Sequence, residues 1–591
     1  MLTWQQLRDL NLRQLDDAAD GWGDVSNASD AARDRVDKGM VARIEQTQEG
    51  ESARAAVKRM RRLSRNYAYL YTECGMIRST VNGLAHDLRG PQKSLKNALA
   101  EAAELKFQVG ADGSVSYPAA GKNLLDGSKL PGGSTHGKPG ALEQPTGGPR
   151  LTEGRDAFLT NPNPNHAVAQ GIADRIARAV YDANEVDARY TRTLDRLKAE
   201  KGLNVGASTW KDAARDATAV RKEASAYLKE DIPSDKSPAA RKDWWDGLTE
   251  EKRQEYLSVY PDIIGNLDGI PALARDEANR HNLPLLIGKL EGQGDEASKT
   301  MLAGLRGIES RLHEGSQPPV YLLGIGDEGN GRAIVSYGNP DTAKHVSAYV
   351  PGLNTRLDGH FASADVKRAK DVADAAEVYA GPGSTASIVW LGYDAPQLRG
   401  IGLDTADVMF DDHAQAGAPA YGEFLQGIQA SHEGEEPHVT ALGHSYGSLT
   451  VGQASQEPGG LRADEVILVG SPGVGVDRAA DLGVDPDHVY VGAAENDQVT
   501  RLPQRNLLNY IAPGSEFDSE RPFGEDPASS GFGGHRFKVE AGEDTGLGGL
   551  ATGDLPAHSL YFDPEQGPES LKNIGKIVSG HGDRIEEVQP R

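Results

Sequence analysis

The sequence predicts an α/β fold: a mostly parallel, doubly wound sheet of about eight strands, preceded by a largely α-helical N-terminal region. Three observations predict it. After Pro318, short β-branched runs alternate with helical stretches, the grammar of strand–helix–strand units. Several of the later runs, such as DEVILVG (464–470), are apolar almost throughout, as strands are when helices cover both faces. Before Pro318, apolar residues recur instead at three- and four-residue spacing.

Residues 1–118 are expected to form a helical hairpin domain. Ala56, Val57, Met60, Leu63, Tyr67, Leu70 and Tyr71 share one helical face, and the turn is expected near the charged EGES stretch at 49–52. FQVGADGSVSY (107–117) sets Asp112-Gly113 between two β-prone runs and predicts a short β-hairpin. Residues 119–164, rich in Gly, Pro, Ser and Thr, read as a flexible linker, since they offer little apolar surface to bury. Residues 165–317 are expected to be helical and to pack on the C-terminal domain. Two long amphipathic segments run from about His166 to Lys229, broken near Gly202 to Gly206, and a third helical block covers 241–314.

Residues 318–591 form the expected catalytic domain. VYLLGIG (320–326) and RAIVSYG (332–338) flank a Gly- and Asn-rich turn and read as an antiparallel hairpin. Strands follow at HVSAYVPG (345–352), TASIVWLGY (385–393), HVTALGHS (438–445), DEVILVG (464–470), HVYVGAA (488–494) and RFKVEAG (536–542). Helices are expected at 363–380, 404–430, 447–456 and 569–579.

The net charge of −24 argues against nucleic acid or an anionic membrane as the main partner, since both reward Lys and Arg. The single cysteine, Cys74, permits no intrachain disulfide and sits in an apolar helical stretch as a buried structural thiol. A cysteine cluster and an HExxH motif are both missing, so no metal or other cofactor is expected. The N-terminus lacks the basic start and apolar run of a signal peptide, and no stretch approaches the roughly 20 apolar residues that span a bilayer. A cytoplasmic location is expected, with export by a route that needs no cleavable signal as the alternative.

Gly443-His444-Ser445-Tyr446-Gly447 matches G-x-S-x-G. The apolar strand before it and the helix-capable SLTVGQASQ after it supply the strand–turn–helix setting of a nucleophile elbow, with Ser445 as nucleophile. A serine hydroxyl needs a base, and with such an elbow the partners follow in the order acid, then histidine. Asp497 lies in the loop past HVYVGAA, on the edge of the sheet where Ser445 emerges, with Glu495 as the runner-up. Among later histidines, His535 falls at the amino end of the last strand and His581 lies past the last helix. His558 comes after that strand, on the correct edge, and is the expected base. His444 is expected to point elsewhere and to be structural. The oxyanion would be met by the backbone N–H of Tyr446 and by an amide of the loop 350–355, at Leu353 or Asn354.

Residues from about 241 to 591 resemble an actinobacterial α/β-hydrolase family of unknown function. The matching stretches are WWDGL (244–248), PDIIGNLDGIPALARDEANR (261–280), GNPDTAKHVSAYVPGLNT (338–355), VWLGYDAP (389–396), GHSYGS (443–448) and VGSPG (469–473). The resemblance implies the α/β-hydrolase fold and a lipase- or esterase-like activity on a small-molecule or lipid ester. The first 110 residues or so loosely resemble the helical-hairpin proteins exported by type VII secretion, although Trp22-Gly23 is not a Trp-x-Gly. The block 244–280 reads as a helical extension of the core, with a lid over the site as the alternative. The long connection 502–535 is expected to shape the acyl pocket. The leading expectation is a serine carboxyl-ester hydrolase. The alternatives are an amidase or acyltransferase with the same triad, or a non-catalytic protein that binds a protein partner through its N-terminal helices and carries a vestigial hydrolase module.

Overall fold

The computed structural model describes residues 1–123, 126–139, 163–197, 205–397, 411–501, 523–545 and 555–591. The chain divides into two compact units. One comprises Met1–Arg33, Arg65–Asn204 and Arg215–Asp231; the other comprises Asp34–Ser64, Val205–Ala214 and Ile232–Arg591. The unit boundaries therefore do not follow the expected split at residues 118, 164 and 317, because segments distant in sequence share a core.

In the first unit, the helix Trp4–Asp9 starts on a capping box in which Thr3 and Gln6 satisfy each other's backbone N–H groups. The helix Glu51–Glu104, which follows a break at 48–50 near the expected turn, contributes its residues from Arg65 onward to this unit. The predicted hairpin forms from β1 (Gln108–Val109) and β2 (Val115–Tyr117). A third strand, β3 (Gly133–Thr135), pairs antiparallel with β2 inside the stretch expected to be flexible linker. That expectation is corrected for these residues: the β2 ladder and the bond from Thr135 to Gln170 order a segment whose own composition offers little burial. Residues 140–162 of the expected linker lie outside the described residues. Leu95, Phe107, Val115, Tyr117 and Ile172 build this unit's core, the last from the helix Pro164–Arg196. Cys74 is buried as expected, and burial, then the charge of Glu73, pushes its thiol up to about 11.

The second unit holds an eight-stranded sheet. Its strands are β4 (Val320–Gly326), β5 (Arg332–Tyr337), β6 (His345–Val350), β7 (Thr385–Leu391), β8 (His438–His444), β9 (Glu465–Val469), β10 (Val489–Gly492) and β11 (His535–Phe537), in the order β11-β10-β9-β8-β6-β7-β5-β4. β4 pairs antiparallel with β5, and β5 antiparallel with β7; all other pairs are parallel. Every residue of β6, β7 and β9 is buried. Period-two alternation divides them between two faces. Val346, Ala348 and Trp390 join Tyr421, Phe424 and Leu449 of the helices Asp412–Ser431 and Tyr446–Gln456. Tyr349, Val389 and Ile467 join Val366, Ile574 and Ile577 of the helices Val366–Ala380 and Pro568–Val578.

Several expected strands are shorter than predicted, β11 most of all. β11 stops at Phe537, and the helix expected from 404 is described only from Asp412, residues 404–410 lying outside the described residues. The block 244–280 packs as a helical extension of the core. The Arg275 guanidinium lies over the Phe424 ring, the Ala272 amide donates to Asp341 at 2.6 Å, and Asn279 donates to the Leu322 carbonyl at 3.0 Å. These contacts tie it to the helix Asp412–Ser431, the turn before β6 and the edge strand β4, so the lid alternative is corrected. Among the described residues, no helix is long and apolar enough to cross a membrane.

Candidate active site

β8 delivers the chain to Ser445, where φ is 56° and ψ −131°, a conformation that non-glycine residues rarely adopt. The helix Tyr446–Gln456 begins at the next residue, so the backbone reverses sharply between strand and helix. The flanking glycines answer to crowding: a Cβ at Gly443 would lie 2.4 Å from Ser448 Cα, and one at Gly447 would lie 2.1 Å from the Val350 carbonyl oxygen. The Ser445 amide donates to the carbonyl of Val469, the last residue of the neighbouring β9, at 3.0 Å. The next residue, Gly470, lies directly against His558, since a Cβ there would sit 3.0 Å from its Cε1 and Nδ1. His558 is thus brought beside the nucleophile elbow from more than a hundred residues away in the chain.

His558 lies in the short helix Pro556–Ser559, and its Nδ1 is 2.9 Å from Asp497 Oδ2. With Nδ1–H assigned as the donor, Nε2 keeps the lone pair that a general base requires. Asp497 sits in the turn past β10 and is 1% exposed. Its Oδ1 accepts the Val499 amide at 2.9 Å, and its Oδ2 also accepts the Tyr561 hydroxyl at 2.6 Å. Burial opposes ionisation of Asp497. The charge of His558 and the hydrogen bonds from His558, Tyr561 and Val499 outweigh it and hold the carboxyl below the usual range. Burial, then the charge of Asp497, raises the Tyr561 phenol well above its ordinary value, so it stays protonated as a donor.

The remaining candidates fall elsewhere. Glu495 is exposed, and its carbonyl accepts from Arg501 at 2.6 Å. His535 begins β11, as predicted, and faces Glu587 and Asp487. His581 faces Ser579. The expectation that His444 points elsewhere is corrected: its ring lies 4.7 Å from that of His558, and its Nε2 is 2.8 Å from the His558 carbonyl oxygen. Burial, then the neighbouring His558, lowers its ionisation well below the ordinary value, so His444 is neutral and donates through Nε2.

On the opposite side, Gly352 presses on the elbow: a Cβ there would lie 2.7 Å from Ser445 Cβ and 2.9 Å from the Tyr446 nitrogen. The Asn354 expectation is corrected. With φ at 64°, its amide turns away and donates to the Pro396 carbonyl at 2.9 Å, so it is not available to an oxyanion. Leu353 remains the candidate donor of this loop. Tyr561 was missed by sequence reasoning, although its position three residues after His558 sets both on one side of a helical turn.

A family model described as alpha/beta hydrolase matches residues 327–506, a span that includes Ser445 and Asp497 and ends before His558. An uncharacterized protein of Mycobacterium tuberculosis strain H37Rv is 32% identical over 388 residues, 59% of this chain and 57% of that protein. The match thus spans little more than half of that relative. An uncharacterized protein of Mycobacterium bovis is 37% identical over 206 residues, 34% of this chain and 74% of that protein. A hyperthermophilic esterase from the archaeon Pyrobaculum calidifontis is a structural neighbour at 11% identity and a TM-score of 0.24, covering 51% of this chain and 98% of that one.

Proposed function

This chain belongs to the alpha/beta hydrolase family, and we propose that it is a serine hydrolase that cleaves carboxylic esters through an acyl-enzyme at Ser445. The single observation that carries the reading is the 2.9 Å contact of His558 Nδ1 with an ionised, buried Asp497, set beside the strained turn that presents Ser445.

In this reading His558 Nε2 takes the Ser445 proton as Oγ bonds to the ester carbonyl carbon. Asp497 holds the imidazole in the productive tautomer and stabilises its positive form. The carbonyl π electrons move to oxygen, and the amides of Tyr446 and Leu353 meet the oxyanion. The first of these stands at the positive end of a helix. Collapse of the tetrahedral species expels the alcohol, which takes the proton from His558. Water, activated by the same imidazole, then releases the acid and restores Ser445.

Chromogenic p-nitrophenyl esters of graded acyl length test the reading. The wild type is expected to turn over at least one of them, while Ser445→Ala, Asp497→Ala and His558→Ala fold normally and lose activity by about 10³-fold or more. Hydrolysis of anilides with none of esters would replace the ester reading with the amidase alternative. Turnover that survives Ser445→Ala would end both.

A further inference from the structure

We propose that Tyr561 is a positioning residue for this reaction, locking the Asp497 carboxylate in the orientation that serves His558; the inference rests on the triad reading above. The Tyr561 side chain is fully buried, and its hydroxyl is held from two sides. Its oxygen accepts the Ala494 amide at 3.0 Å, which fixes where the lone pair points and leaves the proton directed at Asp497 Oδ2, 2.6 Å away. That oxygen is the one facing His558 Nδ1. Ala494 belongs to the same turn as Asp497, whose amide donates to the Ala494 carbonyl at 3.3 Å. The phenol thus clasps both ends of the turn that carries the acid. With Val499 on Oδ1, every rotation of the carboxylate breaks a charge-assisted bond.

This arrangement also divides the charge of Oδ2 between two donors. Without the phenol, Oδ2 would bear on His558 alone and share the Nδ1 proton more strongly. The other ionisable groups facing the cluster include His444, which stays neutral, Arg368, whose charge reaches His444, and Arg591 and Arg536, which interact with Tyr561. The substitutions below alter none of them.

The test uses the full chain labelled with ¹⁵N-histidine and reads the His558 Nδ1 proton by NMR, which needs no substrate. In Tyr561→Phe, that resonance is expected to move downfield, and ester kcat is expected to fall by up to about 10²-fold with KM little changed. Site-specific replacement of Tyr561 by 3-fluorotyrosine keeps the shape and strengthens the donor, so the resonance is expected to move upfield. The fluorinated protein decides the matter if the Phe variant fails to fold or loses the signal. An Nδ1 resonance that stays in place in the fluorinated protein, or in a folded Phe variant, overturns the proposal and leaves Tyr561 as core packing. A wild type that turns over no ester would sink the proposed function, while the NMR shift would still decide the role of Tyr561 at Asp497.

Discussion

The strain at Ser445 is maintained by neighbours that leave no slack. Gly352 touches its Cβ and the first amide of the following helix, so a methyl group at Gly352 must push one of them aside. Gly352→Ala is expected to lower kcat by about 10²-fold, a displacement effect, while circular dichroism stays unchanged. His535→Ala is expected to retain turnover, because that imidazole faces Glu587 and Asp487 at the other edge of the sheet; loss of turnover there would contradict the assignment of His558 as base. At this scale, the sequence revealed the residues whose position follows from strand polarity alone. The direction of the Asn354 amide depends on a left-handed φ, and the Tyr561 bond depends on the path of a turn, neither of which a spacing pattern encodes.

Among elements, the block 244–280 holds an ion pair of its own whose arginine packs against the core. Arg275 is 3% exposed, bonds Asp268 at 2.8 Å, and lies 5.7 Å from the Phe424 ring centroid. Removing Arg275 leaves the half-buried Asp268, whose carboxyl burial already pushes up, without its donor, and strips the guanidinium from the Phe424 ring, so Arg275→Ala is expected to destabilise the unit by about 1–3 kcal/mol in denaturant unfolding. The amino edge of the sheet carries a pH dependence. His345 on β6 is lowered from 6.5 to about 4, by burial first and then by the charges of His438, Lys344 and His581. A depressed histidine stabilises the fold fully above the unfolded value and loses that contribution as pH falls toward the folded one. The melting temperature is therefore expected to drop between pH 6.5 and 4, by about 1 °C per kcal/mol lost, and His345→Gln should flatten that decline. His438 has the opposite sign: its burial is outweighed by Glu465, and its contribution fades as pH rises. Strand and helix order was legible because each run keeps one period. β3 escaped notice because a three-residue strand of Gly, Ser and Thr has no apolar signature and exists only through its pairing with β2.

For the whole molecule, the α/β fold class was legible from the change of grammar at Pro318, but the division into units was not. Asp34–Ser64 clusters with the second unit while the residues on either side cluster with the first, and only long-range packing decides that. Each unit has its own apolar core, so calorimetry of the full chain is expected to show two transitions, with Arg275→Ala lowering only the one belonging to the sheet. A single transition would contradict two independent cores. The proposed hydrolase requires Ser445 to be an activated nucleophile. Intact-protein and peptide mass spectrometry after treatment with a fluorophosphonate measures this directly. The prediction is one adduct on Ser445 in the wild type, none on Ser445→Ala, and much slower labelling of His558→Ala. A folded wild type that stays unmodified, or an adduct that persists in Ser445→Ala, would contradict it.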